Sequence, residues 1–294
     1  MNNPLVSILM TAYNREKYIA EAIESVLHSS YSNFELIIVD DSSTDNTVSI
    51  ARSYETKDNR IKVYVNEVNL KDYPNRNKAA TYAKGKYIKY LDSDDTIYPW
   101  GLEAMVYSME KYPNAAYGLI ANNIFPVEAY PIEVNGEQAY KTFFFKCGLL
   151  MMGPSGSIIR RESFEKAGGF SEQPYIGDTE MWLRLLKTNS IVAMPPDLIW
   201  WRQHEQQQIK EGMDNLFYEK HTLNMFRSSL NSTDCPLRKE DAAIALRNQL
   251  NIRSRKVILD LLKLRFSKAI KFYKINQLTI GDLLASTKKN KIVP

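Results

Sequence analysis

Glycine is absent from the first 84 residues of this 294-residue chain, Gly85 being the first. Dinucleotide fingerprints and P-loops need glycines in the turn after the first strand, so both are excluded. Cysteine is scarcer still. Cys147 and Cys235 are the only two, too few to staple a chain of this size, which predicts a reduced, cytoplasmic protein. No apolar run reaches bilayer length: Phe143 to Met152 is short and broken by Lys146. Met1-Asn2-Asn3-Pro4 lacks positive charge, and Leu5 to Met10 is only strand-length, so no signal peptide is expected. Two motifs also fail. His204-Glu205-Gln206-Gln207-Gln208 lacks the second histidine of a zinc-protease helix. Gly153-Pro154-Ser155-Gly156-Ser157 lacks the final glycine of a nucleophile elbow, leaving Ser155 a poor hydrolase nucleophile.

What is present suffices for a core. Hydrophobic residues make up 44% and charged ones 24%, which excludes wholesale disorder and suits one large domain with a helical appendage. The net charge of +4 hides a division. From Pro236 onward 14 basic side chains face 4 acidic ones, +10, leaving −6 for the remainder. An acidic body, 1–232, and a basic C-terminal extension, 233–294, are expected to meet different partners. The extension lacks the aromatic-studded basic pattern of a nucleic-acid binder, so no nucleic acid is expected.

Short apolar runs alternate with amphipathic ones. Val6 to Met10, Phe34 to Val39, Ile61 to Val65 and Tyr87 to Leu91 read as strands. Lys17 to Leu27, Asp45 to Tyr54 and Asn75 to Lys84 read as helices, the last closed by Gly85 at its C-terminal cap. This alternation predicts an α/β fold, a mostly parallel sheet flanked by helices. Thr11-Ala12-Tyr13-Asn14, Asp40-Asp41 and Asp92 to Asp95 each directly follow a strand. Carboxyl ends of parallel strands share one edge, where ligands bind, so the three clusters converge on one cleft.

Asp92, Asp94 and Asp95 repel one another unless protons or a cation intervene. An oxygen-only set favours Mg²⁺ or Mn²⁺ shared with a diphosphate. The plainer reading is a capped turn before a helix over Thr96 to Met109. A calcium loop fails because Ile97 stands where its glycine belongs. Asp178 opens an amphipathic helix running to Lys187. It either caps that helix or acts as a base on an acceptor hydroxyl.

Together these stretches resemble family 2 glycosyltransferases, which carry the nucleotide-sugar-binding GT-A fold. The matches are Pro4 to Asn14, Val39 to Asp45, Asn75-Arg76-Asn77, Gly85 to Asp95, Arg160 to Phe164, Gly168-Gly169-Phe170, Gly177-Asp178, Trp182-Leu183-Arg184 and Trp201-Arg202-Gln203-His204, in order over roughly two-thirds of the chain. The resemblance implies a GT-A-type, Rossmann-like sheet and an inverting transfer from a nucleotide-sugar, UDP-linked by preference, to a glycan or lipid-linked acceptor. It implies Thr11, Tyr13 and Asp41 at the nucleobase, Asp94 at the ribose and Arg76 at the donor. Asp95, with His204, would hold Mn²⁺ or Mg²⁺; Asp40 and Asp92 would support, and Asp178 would be the base. Two departures stand out. Gly177-Asp178 replaces the commoner Glu-Asp, and the loop Asn69 to Asn75 lacks a glycine near Lys71 that many members carry. A non-catalytic sugar-binding module and, more remotely, a sugar nucleotidyltransferase are the competing readings.

Over 253–274 the sequence separates into two helical stripes. Arg253, Lys256, Asp260, Lys263, Lys271 and Lys274 form one, and Ile258, Leu262, Phe266, Ala269 and Tyr273 the other. Either a helix packs on the body with a solvated basic face, or this surface rests on anionic lipid at the inner face of the plasma membrane. The sequence leaves the oligomeric state open, a homo-oligomer included.

Overall fold

The structure, a computed structural model, describes residues 3–122, 124–125, 128–146, 148–204 and 216–287. Cys147 and the Glu205 to Gln208 part of the histidine-containing run lie outside the described residues. Backbone packing divides the chain into two units. One comprises Met1–Gly136 with Leu149–Gln203, the other Glu137–Gly148 with His204–Pro294. The boundary expected at 232/233 rested on charge, whereas packing also gathers residues 137–148 and 204–232 into the second unit.

In the first unit, strands β1 (Val6–Ala12), β2 (Phe34–Asp40), β3 (Ile61–Val65) and β4 (Tyr87–Tyr90) alternate with helices α1 (Ile19–Leu27), α2 (Thr47–Glu55) and α3 (Asp72–Ala80). There follow β5 (Thr96–Ile97), α4 (Gly101–Lys111), β6 (Ala115–Ile120) and β7 (Ile132–Val134), then α5 (Gly136–Lys141), which lies almost wholly in the second unit. β8 (Ser157–Arg160), α6 (Arg161–Lys166), α7 (Gly177–Leu185), β9 (Ser190–Met194) and β10 (Ile199–Trp200) complete the first unit.

The main sheet has the order β3-β2-β1-β4-β8-β6-β9-β7. Six of its eight strands point one way; β8 and β7 run against them. β1 is apolar almost throughout and nearly all buried, as a strand covered on both faces must be. α1 buries Ile19, Ala22, Ile23 and Val26, a single stripe of a 3.6-residue repeat. Register pairs Ala12 with Asp40 and Leu9 with Tyr90, so the carboxyl ends of β1, β2 and β4 share one edge, as expected.

Two local expectations fail. The helix expected over Thr96 to Met109 starts only at Gly101, because Thr96-Ile97 first pairs antiparallel with Ile199-Trp200. Gly85 is no helix cap, since α3 ends at Ala80 with Thr81 as its C-cap residue. Its place is dictated by close approach: a Cβ there would stand 2.6 Å from the Ser7 nitrogen and 2.7 Å from the Leu5 carbonyl oxygen.

The second unit contains α8 (Phe217–Leu230), α9 (Lys239–Leu262), α10 (Phe266–Ile275) and α11 (Ile280–Ala285). Val257, Ala269, Phe272 and Leu278 form a core there. The two stripes expected along 253–274 do not survive: α9 buries the face of Arg253, Ser254, Val257 and Asp260, and the helix then breaks between Leu262 and Phe266. Arg253 and Asp260, expected on the wet side, are buried, Arg253 lying 3.4 Å from Glu219. Leu262 and Phe266, expected inside, are exposed. Among the described residues no helix is long and apolar enough to cross a membrane.

Candidate functional site

At the end of β1, Thr11 is partly buried and Tyr13 is 46% exposed, so its ring is open to a planar ligand. Asn14 adopts a left-handed φ of 52°, which asparagine tolerates. Its backbone N–H donates to Ser43 Oγ at 2.8 Å, and its side-chain oxygen accepts from the Thr44 N–H at 2.9 Å. Asp40 is buried and accepts from the Ser43 N–H at 2.8 Å and the Ser43 hydroxyl at 2.5 Å. Burial nonetheless pushes its carboxyl above the ordinary value. Asp40 thus holds the turn after β2 through Ser43.

Asp41 is tied into the following loop. It accepts from the backbone N–H of Leu70 at 2.8 Å, that of Lys71 at 2.9 Å and Asn66 Nδ2 at 2.8 Å. Asn66 Nδ2 also donates to Asn75 Oδ1 at 2.9 Å. Lys71 is held at φ 74°, a left-handed conformation that disfavours a side chain.

After β4, carboxylate oxygens of Asp92, Asp94 and Asp95 lie within 4.8 Å of one another. Each is held from a different direction. Arg76, itself buried, makes ion pairs of 2.7 Å with both Asp72 and Asp92. Burial favours a neutral Asp92, but the Arg76 charge outweighs it and holds the carboxyl below its usual range. Arg15 Nε pairs with Asp94 at 3.0 Å. The Arg202 N–H donates to Asp95 Oδ1 at 3.1 Å, and its guanidinium reaches the Asp94 carbonyl at 2.9 Å. The Asp92 N–H donates to Ser155 Oγ at 3.0 Å. Beneath the cluster, fully buried Lys89 donates from Nζ to the carbonyls of Tyr90 and Ser155. Burial lowers its ammonium to about 7, against the pull of Asp92 and Asp95. Lys89→Met would strand two buried carbonyls, so it should lower stability by about 1–3 kcal/mol in urea denaturation; an unchanged midpoint would contradict this role.

Asp95 is 1% exposed, and its Oδ2 makes no hydrogen bond of good geometry. Burial, with Asp92 and then Asp94 nearby, pushes its carboxyl up to about 7 against the opposing Ser155 hydroxyl and Arg202 N–H. A buried carboxylate crowded by like charges fits a divalent cation. Among the described residues the acidic set at this turn is Asp92, Asp94 and Asp95.

Asp178 occupies the first turn of α7, where the helix dipole favours a carboxylate. Its N–H donates to the Tyr73 hydroxyl at 3.2 Å, and its Oδ1 accepts from the Thr179 N–H at 2.6 Å. Burial pushes the carboxyl up to about 6; Asp72 adds to this, while Thr179, Arg76 and Tyr73 oppose it. The Arg76 charge is thus felt at Asp178 as well as at Asp92, with which it pairs directly. Gly177 admits this arrangement: a Cβ there would stand 2.8 Å from three atoms of the Tyr73 ring. Gly177→Ala should cost about 1–3 kcal/mol through overpacking, read as a lower melting temperature; an unchanged one would contradict this contact.

Thr11, Tyr13, Asp40, Asp41, Asp92, Asp94 and Asp95 stand at or just after the carboxyl ends of β1, β2 and β4, and Asp178 in the first turn of α7. Arg76, expected at the donor, is paired with Asp72 and Asp92. Lys89, Arg15, Tyr73 and Ser155 were missed. A lysine inside an apolar strand, Tyr87-Ile88-Lys89-Tyr90-Leu91, was the one available signal.

The glycosyl transferase family 2 model matches residues 7–168. The chain is 34% identical over 203 residues to UDP-Glc:alpha-D-GlcNAc-diphosphoundecaprenol beta-1,3-glucosyltransferase WfgD of Escherichia coli, covering 66% of this chain and 74% of that one. It is 25% identical over 256 residues to glycosyltransferase GlyG of Streptococcus pneumoniae, covering 82% and 83%. Among solved structures, S. aureus TarS in complex with UDP-GlcNAc superposes with a TM-score of 0.69 at 20% identity, over 96% of this chain and 81% of that one. Mannosyltransferase PcManGT of Pyrobaculum calidifontis, in complex with GDP-Man and Mn2+, gives 0.64 at 14%, over 98% and 87%. The sheet order, the acidic turn after β4 and the matched stretch agree: this chain belongs to glycosyl transferase family 2 and is a glycosyltransferase of the GT-A fold.

Proposed function

We propose that this glycosyltransferase moves a sugar, with inversion, from a UDP-sugar to a hydroxyl of a glycan or lipid-linked saccharide, assisted by Mn²⁺ or Mg²⁺. One observation supports the reading: a buried Asp95 carboxylate crowded by Asp92 and Asp94 in an acidic triad at the end of β4. Asp95, with Asp94 and Asp92, would hold the cation, which when bound supplies Lewis-acid stabilisation of the departing diphosphate. The exposed Tyr13 ring stacks on the base, and Thr11 lies beside it at the end of the same strand. Asp41 fixes the loop against which the base lies. Asp94 stands at the ribose, held by Arg15. Asp178 takes the acceptor proton, its raised carboxyl suiting a base near neutral pH. Arg76 sets the protonation of both carboxylates it faces. The catalytic machinery is thus assigned to the first unit, within the 1–232 body expected from sequence. His204 has no assigned role.

UDP-linked donors are favoured by the names of WfgD and of the TarS complex, and a lipid diphosphate-linked acceptor by that of WfgD. Such an acceptor would place the reaction at the cytoplasmic membrane face. The test is a thermal-shift and transfer panel of UDP-Glc, UDP-GlcNAc and GDP-Man, with Mn²⁺ or with EDTA. A UDP-sugar at a hundredfold excess over its Kd should stabilise by about 2.7 kcal/mol. A larger shift with GDP-Man, or none that EDTA removes, would overturn the donor or metal assignment respectively.

A further inference from the structure

The turn joining α9 to α10 presents oily side chains to solvent. From Leu261 to Lys268 every residue is exposed, and Leu262 and Leu264 are each 74% exposed. Phe266 and Ile270 continue this face one helical turn apart along α10, at 55% and 52%. Scattered surface leucines are ordinary, but four large apolar groups within nine residues are not.

Backbone geometry adds to this. α9 ends in a two-bond cap, the Arg265 N–H donating to the Asp260 carbonyl at 2.8 Å and the Leu264 N–H to that of Leu261 at 3.0 Å. The cap requires a left-handed residue, usually glycine. Leucine fills it at φ 57°, with its side chain directed outward. A residue that strains the backbone while packing on little of its own chain is doing something outside the fold.

Charge identifies the occupant. Between Leu261 and Ile275 there are five basic residues and no acidic one. Lys263 and Arg265 alternate with Leu262, Leu264 and Phe266 through the turn, and Lys268 and Lys271 follow on α10, all exposed. A second copy of this surface would bring like charges together. Nucleic acid would satisfy the charges but leave the aliphatic groups without an apolar partner. An anionic bilayer accepts both, the oily groups entering the acyl boundary while the ammonium and guanidinium groups stay among the phosphates.

We propose that the α9–α10 turn is a membrane-docking tip, inserting Leu262, Leu264 and Phe266 into an anionic phospholipid surface with Lys263, Arg265, Lys268 and Lys271 on the headgroups. This replaces the broad face expected over 253–274 by a point contact, and it does not depend on the donor, the metal or Asp178.

The test is flotation of the full chain with phosphatidylglycerol-rich vesicles against pure phosphatidylcholine. The protein should float with the former and be largely released by high salt. Each Lys→Gln substitution at 263, 268 or 271 should weaken binding about fivefold. Leu262→Ser with Phe266→Ser should weaken it by at least about a hundredfold. Leu264→Gly separates docking from folding: binding falls about tenfold while the melting temperature does not, because glycine suits the cap. Equal flotation with both vesicles, no flotation, or variants that float like the unmodified chain would each overturn the proposal. So would a concentration-dependent dimer that the same substitutions dissolve.

Discussion

Asp178→Asn should lower kcat about 10²–10⁴-fold, the range that a positioned general base contributes, while leaving the Kd for UDP-sugar unchanged. Asparagine keeps the oxygen that accepts from the Thr179 N–H and leaves the Asp178 N–H on the Tyr73 hydroxyl. It cannot take a proton. The unmodified enzyme should show an acid limb near pH 6, with activity rising as the Asp178 carboxyl ionises, and the variant's residual rate should lose that limb. The stability effect has the opposite sign to damage. A carboxyl raised in the folded state stabilises below its unfolded pKa, and that contribution is lost as pH rises through about 6. Above pH 6 the asparagine variant should therefore melt no lower than the parent. A variant that turned over normally while folded would remove Asp178 from the reaction.

Asp95→Ala should abolish the Mn²⁺-dependent stabilisation by UDP, a loss of at least about 2.7 kcal/mol at ligand concentrations a hundredfold above Kd. Two opposing effects make the experiment decisive. The substitution removes a buried carboxyl that burial and two neighbouring aspartates push towards protonation, so the ligand-free variant should be at least as stable as the parent. It also removes the buried carboxylate of the acidic triad, so metal-linked binding should disappear. Calorimetry with Mn²⁺ alone and with Mn²⁺ plus UDP reads both. An unaltered UDP response would show that the cation is held elsewhere.

The strand ends and the acidic turn were legible in the sequence because strands alternate apolar runs with polar termini, and parallel strands share an edge. Asp92, Asp94, Asp95 and Asp178 needed no coordinates to be singled out. Arg76 was read as a donor contact because an arginine in an Asn-Arg-Asn run carries no sign of what neutralises it. One partner, Asp72, lies a helical turn before it on α3, but the other, Asp92, comes from the segment after β4 and meets it only in the folded chain. Lys89 was illegible for a related reason: its acceptors are carbonyls, which no sequence pattern marks. Antiparallel β8, inserted between β4 and β6, was not read at all. The stripes of the tail failed because α9 buries Arg253 and Asp260 against partners such as Glu219 that no local pattern marks, and because nothing in Leu261-Leu262-Lys263-Leu264 announces a left-handed residue.

The Asp41 clasp bears on how donor preference could be redesigned. One carboxylate holds both backbone amides at the bend of the 66–71 segment and, through Asn66, reaches into α3. On the proposed placement of the base beside Asp41, exchanging that aspartate would release the bend as well, so nucleotide choice and the 66–71 segment would have to be tuned together. A transplant that altered preference cleanly would have to carry position 41 and the whole 66–71 segment as a single cassette.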